Sequence, residues 1–139
     1  MSQIKKTFLL DDFKKWDNLW KLDDTATYFQ SSSWAKIWNE YKNLKTKCFQ
    51  ICFNDEVTCI LPTCFDTRTE HYFLSPAGTY GGWLSKYLLT QNQVESLIDF
   101  INEDLNYYTF RINPLLDRQV KSDKAFKDTT RILKLTGDF

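Results

Sequence analysis

The sequence has no excess of charge of either sign, since 18 lysines and arginines offset 18 aspartates and glutamates in 139 residues. Without a net positive charge, no long-range field would gather nucleic acid or an anionic membrane. Arginine is also scarce, with 4 arginines beside 14 lysines, and arginine is the side chain that grips phosphate with two parallel hydrogen bonds. The composition therefore argues against nucleic acid as a partner.

Long apolar runs are missing as well. No apolar run of signal-peptide length follows Lys5 and Lys6, and no stretch of about 18 apolar residues occurs anywhere in the chain. We therefore expect no membrane span and a cytoplasmic location. In the cytoplasm the four cysteines are expected to be reduced thiols.

The positions of the four cysteines argue against a zinc site, which usually takes its ligands in close pairs from tight turns. Cys48 and Cys52 share one face of a predicted strand. Cys59 and Cys64 are an odd number of residues apart, so they face opposite ways unless Pro62 introduces a bulge. Buried small thiols are therefore favoured over metal ligands, and no metal is assigned.

Candidate catalytic groups are few. A cysteine nucleophile needs a base, and His71 is the single histidine. Because His71 lies within a predicted strand, a half-exposed structural role is favoured over catalysis. No serine lies in a Gly-x-Ser-x-Gly turn, and adjacent carboxylates such as Asp11-Asp12 point apart, as helix caps and solvated faces do. No catalytic residue is assigned.

Periodic apolar residues predict three helices. The first covers residues 11–22, and the second begins at Ser32 or Ser33, where a hydroxyl can accept from free backbone N–H groups. One face of the second helix consists of Trp34, Ile37, Trp38 and Tyr41, and its aromatic stripe of Trp34, Trp38 and Tyr41 is expected to be core. Thr90 and Gln93 form a capping box for the third helix. Its apolar face consists of Val94, Leu97, Ile98, Ile101 and Leu105.

Alternating residues predict strands between and after these helices. Residues 48–53 and 57–61 alternate on either side of Asn54-Asp55-Glu56, which predicts a β-hairpin. Because Pro62 has no N–H to donate, its strand is expected to bulge there or to run along an edge. Further strands are predicted at residues 70–74, 107–112 and 130–135.

The order of these elements predicts one α+β domain over residues 1–139, with a mainly antiparallel, twisted sheet flanked by helices. A third layer is not expected at this length. The chain stops at Phe139, shortly after the last predicted strand, and nothing follows to cover the edge of that strand. The domain is therefore expected to be truncated at its C-terminus or completed by a partner.

Residues 75–82 form the most distinctive loop, since they hold three of the four glycines and one of the three prolines. A structural turn is the favoured interpretation. The alternative is a cradle for a phosphate or a pantetheine arm, because glycines expose backbone N–H groups to anions. Neither Gly-x-Gly-x-x-Gly nor a P-loop sequence is present.

Taken together, four segments resemble the first half of FemAB-like acyltransferases, which consist of two tandem GNAT-like halves. Leu74-Ser75-Pro76 followed by Tyr80-Gly81-Gly82 is the most specific of them. The others are Tyr28-Phe29-Gln30-Ser31-Ser32-Ser33-Trp34-Ala35, Ile60-Leu61-Pro62 and Thr129-Thr130-Arg131-Ile132-Leu133-Lys134-Leu135. Their order and spacing agree with the family across most of the chain.

The resemblance implies a GNAT-like fold and the transfer of an acyl or aminoacyl group to an amine. The donor in an intact protein would be acyl-CoA or an aminoacyl-tRNA, and no cofactor is assigned to this chain itself. One wall of the substrate cleft would be shaped by Trp34, Ser75, Tyr80, Gly81 and Gly82. The family's usual donor-binding half is missing, so the chain is not expected to be competent alone.

The resemblance also bears on partners. We expect a complementary GNAT-like half, or self-association through the C-terminal strand. Two alternatives stay open. One is a stand-alone interaction domain that pairs through that strand, and the other is a complete small GNAT-type N-acyltransferase, which the absence of a phosphate-binding loop disfavours.

Overall fold

The computed structural model describes residues 2–105, 111–116 and 120. Within them lie four strands and three α-helices, in an α+β arrangement that confirms the predicted fold class. In chain order they are β1 (Ile4–Leu10), α1 (Phe13–Leu22), α2 (Ser32–Asn39), β2 (Leu44–Phe53), β3 (Thr58–Asp66), β4 (His71–Phe73) and α3 (Gln91–Asp99). The predicted strand at 130–135, and that at 107–112 apart from its last two residues, lie outside the described residues.

The four strands form one antiparallel sheet in the order β1-β2-β3-β4. The predicted hairpin is confirmed as β2 and β3, which pair Phe49 with Leu61 and Ile51 with Cys59. The strand predicted at 70–74 is present as β4. At the hairpin turn Glu56 adopts a φ of 67°, a left-handed conformation that is uncommon for residues other than glycine.

The first strand, β1, was not predicted from the sequence. Its five central residues are all exposed, so it lacks the alternation of apolar and polar residues that marks a half-buried strand. It exists because it pairs antiparallel with β2, with Thr7 opposite Ile51 and Leu9 opposite Phe49. A partner distant in sequence therefore decides the structure of this segment.

Pro62 lies within β3 without a bulge, since the pairing with β2 runs uninterrupted through it. Ile60 exchanges both backbone hydrogen bonds with Leu84, at 2.8 and 2.9 Å, on the side away from β2. The nitrogen of Pro62 points to that same side because backbone directions alternate along a strand, and β4 pairs with β3 only from Cys64 onward. Among the described residues, the missing N–H thus falls between two partners of β3, where this strand is locally an edge.

Helices cover both faces of the sheet, so the expectation that no third layer forms was wrong. On one face Ile51, Phe53 and Leu61 pack against α3 in the larger core. On the other face Ile60 packs with Trp16 of α1 in a smaller core. Successive residues of β2 and β3 point alternately into the two cores. Both faces of the hairpin are therefore buried, even in a short chain.

The helix starts match the predicted capping chemistry, with one shift. Asp12 accepts a hydrogen bond from the backbone N–H of Lys15 at the start of α1. The predicted start of α2 at Ser32 is confirmed, but the capping hydroxyl belongs to the residue before it, Ser31, whose Oγ accepts from the Trp34 N–H at 3.1 Å. The capping box of Thr90 is confirmed at α3.

The apolar face predicted for the third helix is fully buried, at Val94, Leu97, Ile98, Ile101 and Leu105. The regular helix ends at Asp99, and a π-helical turn over Phe100–Asp104 carries the face onward. None of the helices in the described ranges has both the length and the apolar character that crossing a membrane requires.

Candidate functional site

A hydrogen bond joins the start of α2 to the loop that follows β4. The indole Nε1 of Trp34 donates to Oγ of Ser75 at 3.0 Å. Trp34 is oriented by the first turn of α2, where its backbone N–H is bound by the Ser31 cap. Two of the residues expected to shape a substrate cleft are therefore in direct contact.

The Ser75 hydroxyl is also held from within its own loop. Its Oγ lies in a short hydrogen bond with Oγ1 of Thr79, which in turn donates to the carbonyl of Pro76 at 2.7 Å. Ala77 and Gly78 follow with positive φ angles of 58° and 68°. The loop is a tight turn that fixes the serine in place, as the turn interpretation predicted.

Tyr80 is connected to Trp34 by aromatic contacts through Phe29. Its ring lies edge-on to Phe29, with centroids 5.2 Å apart, and Phe29 is edge-on to Trp34 at the same distance. Edge-to-face contacts at this spacing are favourable for aromatic rings. Three of the five predicted cleft residues, Trp34, Ser75 and Tyr80, thus belong to one connected cluster of contacts, in which Ser75 is buried.

Gly81 has a packing role. A Cβ added to it would lie 2.6 Å from the carbonyl oxygen of Leu74. Its N–H donates to the carbonyl of Arg111 at 3.0 Å, and its carbonyl accepts from the N–H of Asn113, in a parallel bridge with Ile112. Because this N–H is already paired, it is not available to cradle an anion.

Gly82 is also required by its surroundings. Its φ is 150°, and an added Cβ would lie 2.8 Å from Cδ1 of Leu116 and 3.5 Å from Nε2 of Gln30. Both glycines therefore allow close approach of the chain to its neighbours. This geometry favours the structural turn over the ligand cradle.

A row of aromatic rings continues along α2. Successive centroids lie 5.9 Å apart from Tyr28 to Trp34, 5.6 Å from Trp34 to Trp38 and 4.9 Å from Trp38 to Tyr41. The expectation that the aromatic stripe is core was wrong for Tyr41, which is 55% exposed. Ile37, on the same face, is 45% exposed. Successive rings contact one another, and Ala35 of α2 packs against the smaller core.

A cavity of about 20 Å³ lies beneath the row, bounded by Trp34, Trp38, Thr46 and Cys64 among others. The Nε1 of Trp38 is buried and has no hydrogen-bond partner within the part of the chain that the structure describes. A cavity of this volume has room for about one water molecule. It is too small for a substrate, so any ligand of this region would lie on the exposed rings.

The four cysteines lie on both faces of the sheet. Cys48 belongs to the smaller core and Cys59 to the larger one, because Cys59 pairs with Ile51, which is an odd number of residues from Cys48 along β2. Burial raises the pKa of the Cys48 and Cys59 thiols well above their ordinary value, and raises the pKa of Cys64 to about 11. A buried thiol with a raised pKa is a poor nucleophile at neutral pH.

The other polar candidates from the sequence, His71 and the paired carboxylates, are exposed or form hydrogen bonds that stabilise the fold. His71 is exposed on β4, opposite Asp66. Asp12 caps α1, and Asp23 accepts from the Ser85 N–H at 2.8 Å, linking the end of α1 to a segment far along the chain. Neither His71 nor these carboxylates join the hydrogen bond between Trp34 and Ser75.

Sequence reasoning missed a buried polar pair, Gln30 and Asn113, next to Gly82. Oε1 of Gln30, a residue only 1% exposed, accepts from the Thr27 N–H at 2.8 Å and from Nδ2 of Asn113 at 3.3 Å. Nδ2 of Asn113 also donates to the carbonyl of Thr25 at 2.7 Å. The capping-box spacing of Thr27 and Gln30 is a local signal for the first bond, but no local signal places Asn113 beside them.

No family model, no curated protein and no solved structure matches this chain significantly. The FemAB-like resemblance therefore remains a prediction from sequence motifs.

Proposed function

We propose that this chain is the N-terminal GNAT-like half-domain of a FemAB-like acyl- or aminoacyltransferase. One wall of its substrate cleft would consist of α2 and the loop 75–82. The observation that carries this proposal is the hydrogen bond between Trp34 and Ser75, because it joins two of the sequence segments on which the resemblance depends. The ring contacts from Tyr80 through Phe29 to Trp34 support it.

In the proposed reaction an amine nitrogen attacks the carbonyl carbon of a thioester or of a tRNA ester. A C–N bond forms, the C–S or C–O bond breaks, and the thiol or hydroxyl leaves with the proton that the amine loses. The aromatic wall would hold the transferred group or the acceptor by packing, since aromatic rings offer large apolar contact surfaces. Holding the two reactants in register is itself a large part of catalysis.

We assign the proton-accepting base and the donor site to a complementary GNAT-like half. The candidate groups of the described residues suit these roles poorly. The thiols of Cys48 and Cys59 are buried with raised pKa values, and the N–H of Gly81 is already bonded to Arg111. The wall can bind and orient, and its partner would supply the acid–base chemistry.

The direct test is an assay of the purified chain with an acyl-CoA or an aminoacyl-tRNA and a set of amine acceptors. Mass spectrometry would detect the new amide, with and without a candidate complementary half. We expect product only when both halves are present. Turnover by this chain alone would reject the half-domain proposal, and a chain that neither binds nor activates any such half would favour an independent interaction domain.

A variant tests the role of the wall in the reconstituted enzyme. Trp34→Phe keeps an aromatic ring but removes the N–H that binds Ser75. We expect kcat/KM to fall by about tenfold, because a shifted wall misplaces the bound group. Tyr87→Phe, at an exposed ring outside the row, is the matched control and should leave kcat/KM unchanged.

A further inference from the structure

In the sheet formed by the described strands, the outer side of β1 is an edge. Among the described residues β1 pairs with β2 alone, so its outward N–H and C=O groups face no other described strand. Phe8 and Leu9 are 42% and 56% exposed. They pair with Gln50 and Phe49, so they project from opposite faces. An exposed edge with apolar side chains is a template for the addition of another strand.

An acidic groove of about 770 Å³ runs beside this edge, between the start of β1 and the segment formed by α3 and its π-helical turn. Its carboxylates are Glu95, Asp99, Glu103 and Asp104. All four residues are exposed, and neither of the ion pairs within the described ranges uses them. Lys6 is the one cation of the described lining.

The two sides of the groove are tied to each other. The backbone N–H of Gln3 donates to Oγ of Ser96 at 2.9 Å, which fixes the start of β1 against α3. The same serine hydroxyl donates to the carbonyl of Asn92 at 2.8 Å. The carboxylates of the groove are therefore held in a fixed position relative to a strand added to β1.

We propose that the outer edge of β1 binds an extended segment of a partner protein in which lysine or arginine alternates with apolar residues. Its backbone would add a fifth strand to the sheet. Because successive side chains of a strand point to opposite faces, the basic residues of the bound segment would lie over the carboxylates of the groove. Its apolar residues would lie beside Phe8 on the other face.

Charge argues for a partner protein over a second copy of this chain. Antiparallel pairing of two β1 strands reverses their direction, so the end that follows Leu10 would approach the groove. That end carries Asp11 and Asp12, whose charges would meet the carboxylates of α3. Like charges brought together at an interface are unfavourable. This surface shares no residue with the proposed substrate wall, so the two proposals can fail independently.

The test uses a labelled peptide of about ten residues, the length of a long strand, in which lysine alternates with valine. Fluorescence anisotropy should show saturable binding that weakens as salt is added. Amide hydrogen exchange should slow by about tenfold or more at residues 4–10 of the full chain when peptide is bound. The peptide with glutamate in place of lysine, and one with a central proline, should not bind.

Variants locate the site. Asp99→Asn with Glu103→Gln should weaken peptide binding by about tenfold. Asp24→Asn with Glu40→Gln removes the same charge from exposed positions outside the groove and should change binding by less than about twofold. Equal losses in the two pairs would overturn the proposal. Slow exchange of the β1 amides in the free monomer would also overturn it, because a segment of this chain would then cover the edge. A dimer that is seen by light scattering and does not bind the peptide would overturn it as well.

Discussion

The indole of Trp34 donates to the hydroxyl of Ser75 across 41 residues of sequence. Ser75 is buried, and its hydroxyl also contacts Thr79. One serine therefore couples the first turn of α2 to the loop after β4. The proposed substrate wall depends on this contact, so we consider first how much the contact contributes to stability.

Replacing Ser75 with alanine should lower the free energy of unfolding by about 1 kcal/mol, since it removes an acceptor from the Trp34 N–H. Urea denaturation measures the change. A double-mutant cycle with Trp34→Phe should return a coupling energy of at least about 0.5 kcal/mol. Additive losses would show that the contact contributes nothing, and Ser33→Ala, at an exposed position of α2, is the control.

Two glycine substitutions should differ in a defined order. Gly81→Ala places a Cβ 2.6 Å from the Leu74 carbonyl, so the backbone must shift at a cost of about 2 kcal/mol or more. Gly78→Ala meets nothing within 4 Å and has a φ of 68°, so it should cost only about 1 kcal/mol of backbone strain. Denaturation midpoints in the opposite order would contradict the packing described for Gly81.

The buried thiols predict a loss of stability at alkaline pH. An unfolded cysteine ionises near 9.0, whereas burial raises the pKa of Cys64 to about 11. Between these values the unfolded chain binds fewer protons than the folded one, so the free energy of unfolding falls as pH rises. Each such thiol contributes a slope of up to about 1.4 kcal/mol per pH unit.

Cys64→Ser isolates this contribution, because a serine hydroxyl does not ionise in that range. The free energy of unfolding of the variant should fall less steeply with pH than that of the parent between pH 9.0 and about 11. Comparing the two slopes cancels the pH dependence of stability that comes from lysines and tyrosines, because both proteins have the same ones. Parallel curves would show that the Cys64 thiol ionises equally in the folded and unfolded chains.

Gln30→Ala should destabilise the fold by about 2 to 3 kcal/mol. The substitution leaves the Thr27 N–H without its acceptor, and it removes one of the two acceptors of Asn113 Nδ2. It also opens space beside Gly82. Thermal unfolding provides the measurement. Asn18→Ala, on the exposed side of α1, should stay within about 0.5 kcal/mol, and a similarly small loss for Gln30→Ala would contradict its role as a buried acceptor.

The elements that sequence predicted well are those whose signals are local. The hairpin of β2 and β3 follows from alternation on either side of a polar turn. The start of α3 follows from Thr90 and Gln93, three residues apart. The exposed side of α2 was not predictable, because an aromatic stripe has the same spacing whether it faces a core or a row of neighbouring rings.

By itself, the sequence determined the α+β class, through the order of its elements. It also determined the central hairpin, the cap of α3 and the tight turn at Ser75, since each of these depends on residues a few positions apart. Only the tertiary structure decided that residues 4–10 form a strand, that Gly81 bridges to Ile112 and that Trp34 reaches Ser75. These contacts join segments far apart in the chain. Their formation depends on how the helices and the sheet pack, which no local pattern encodes.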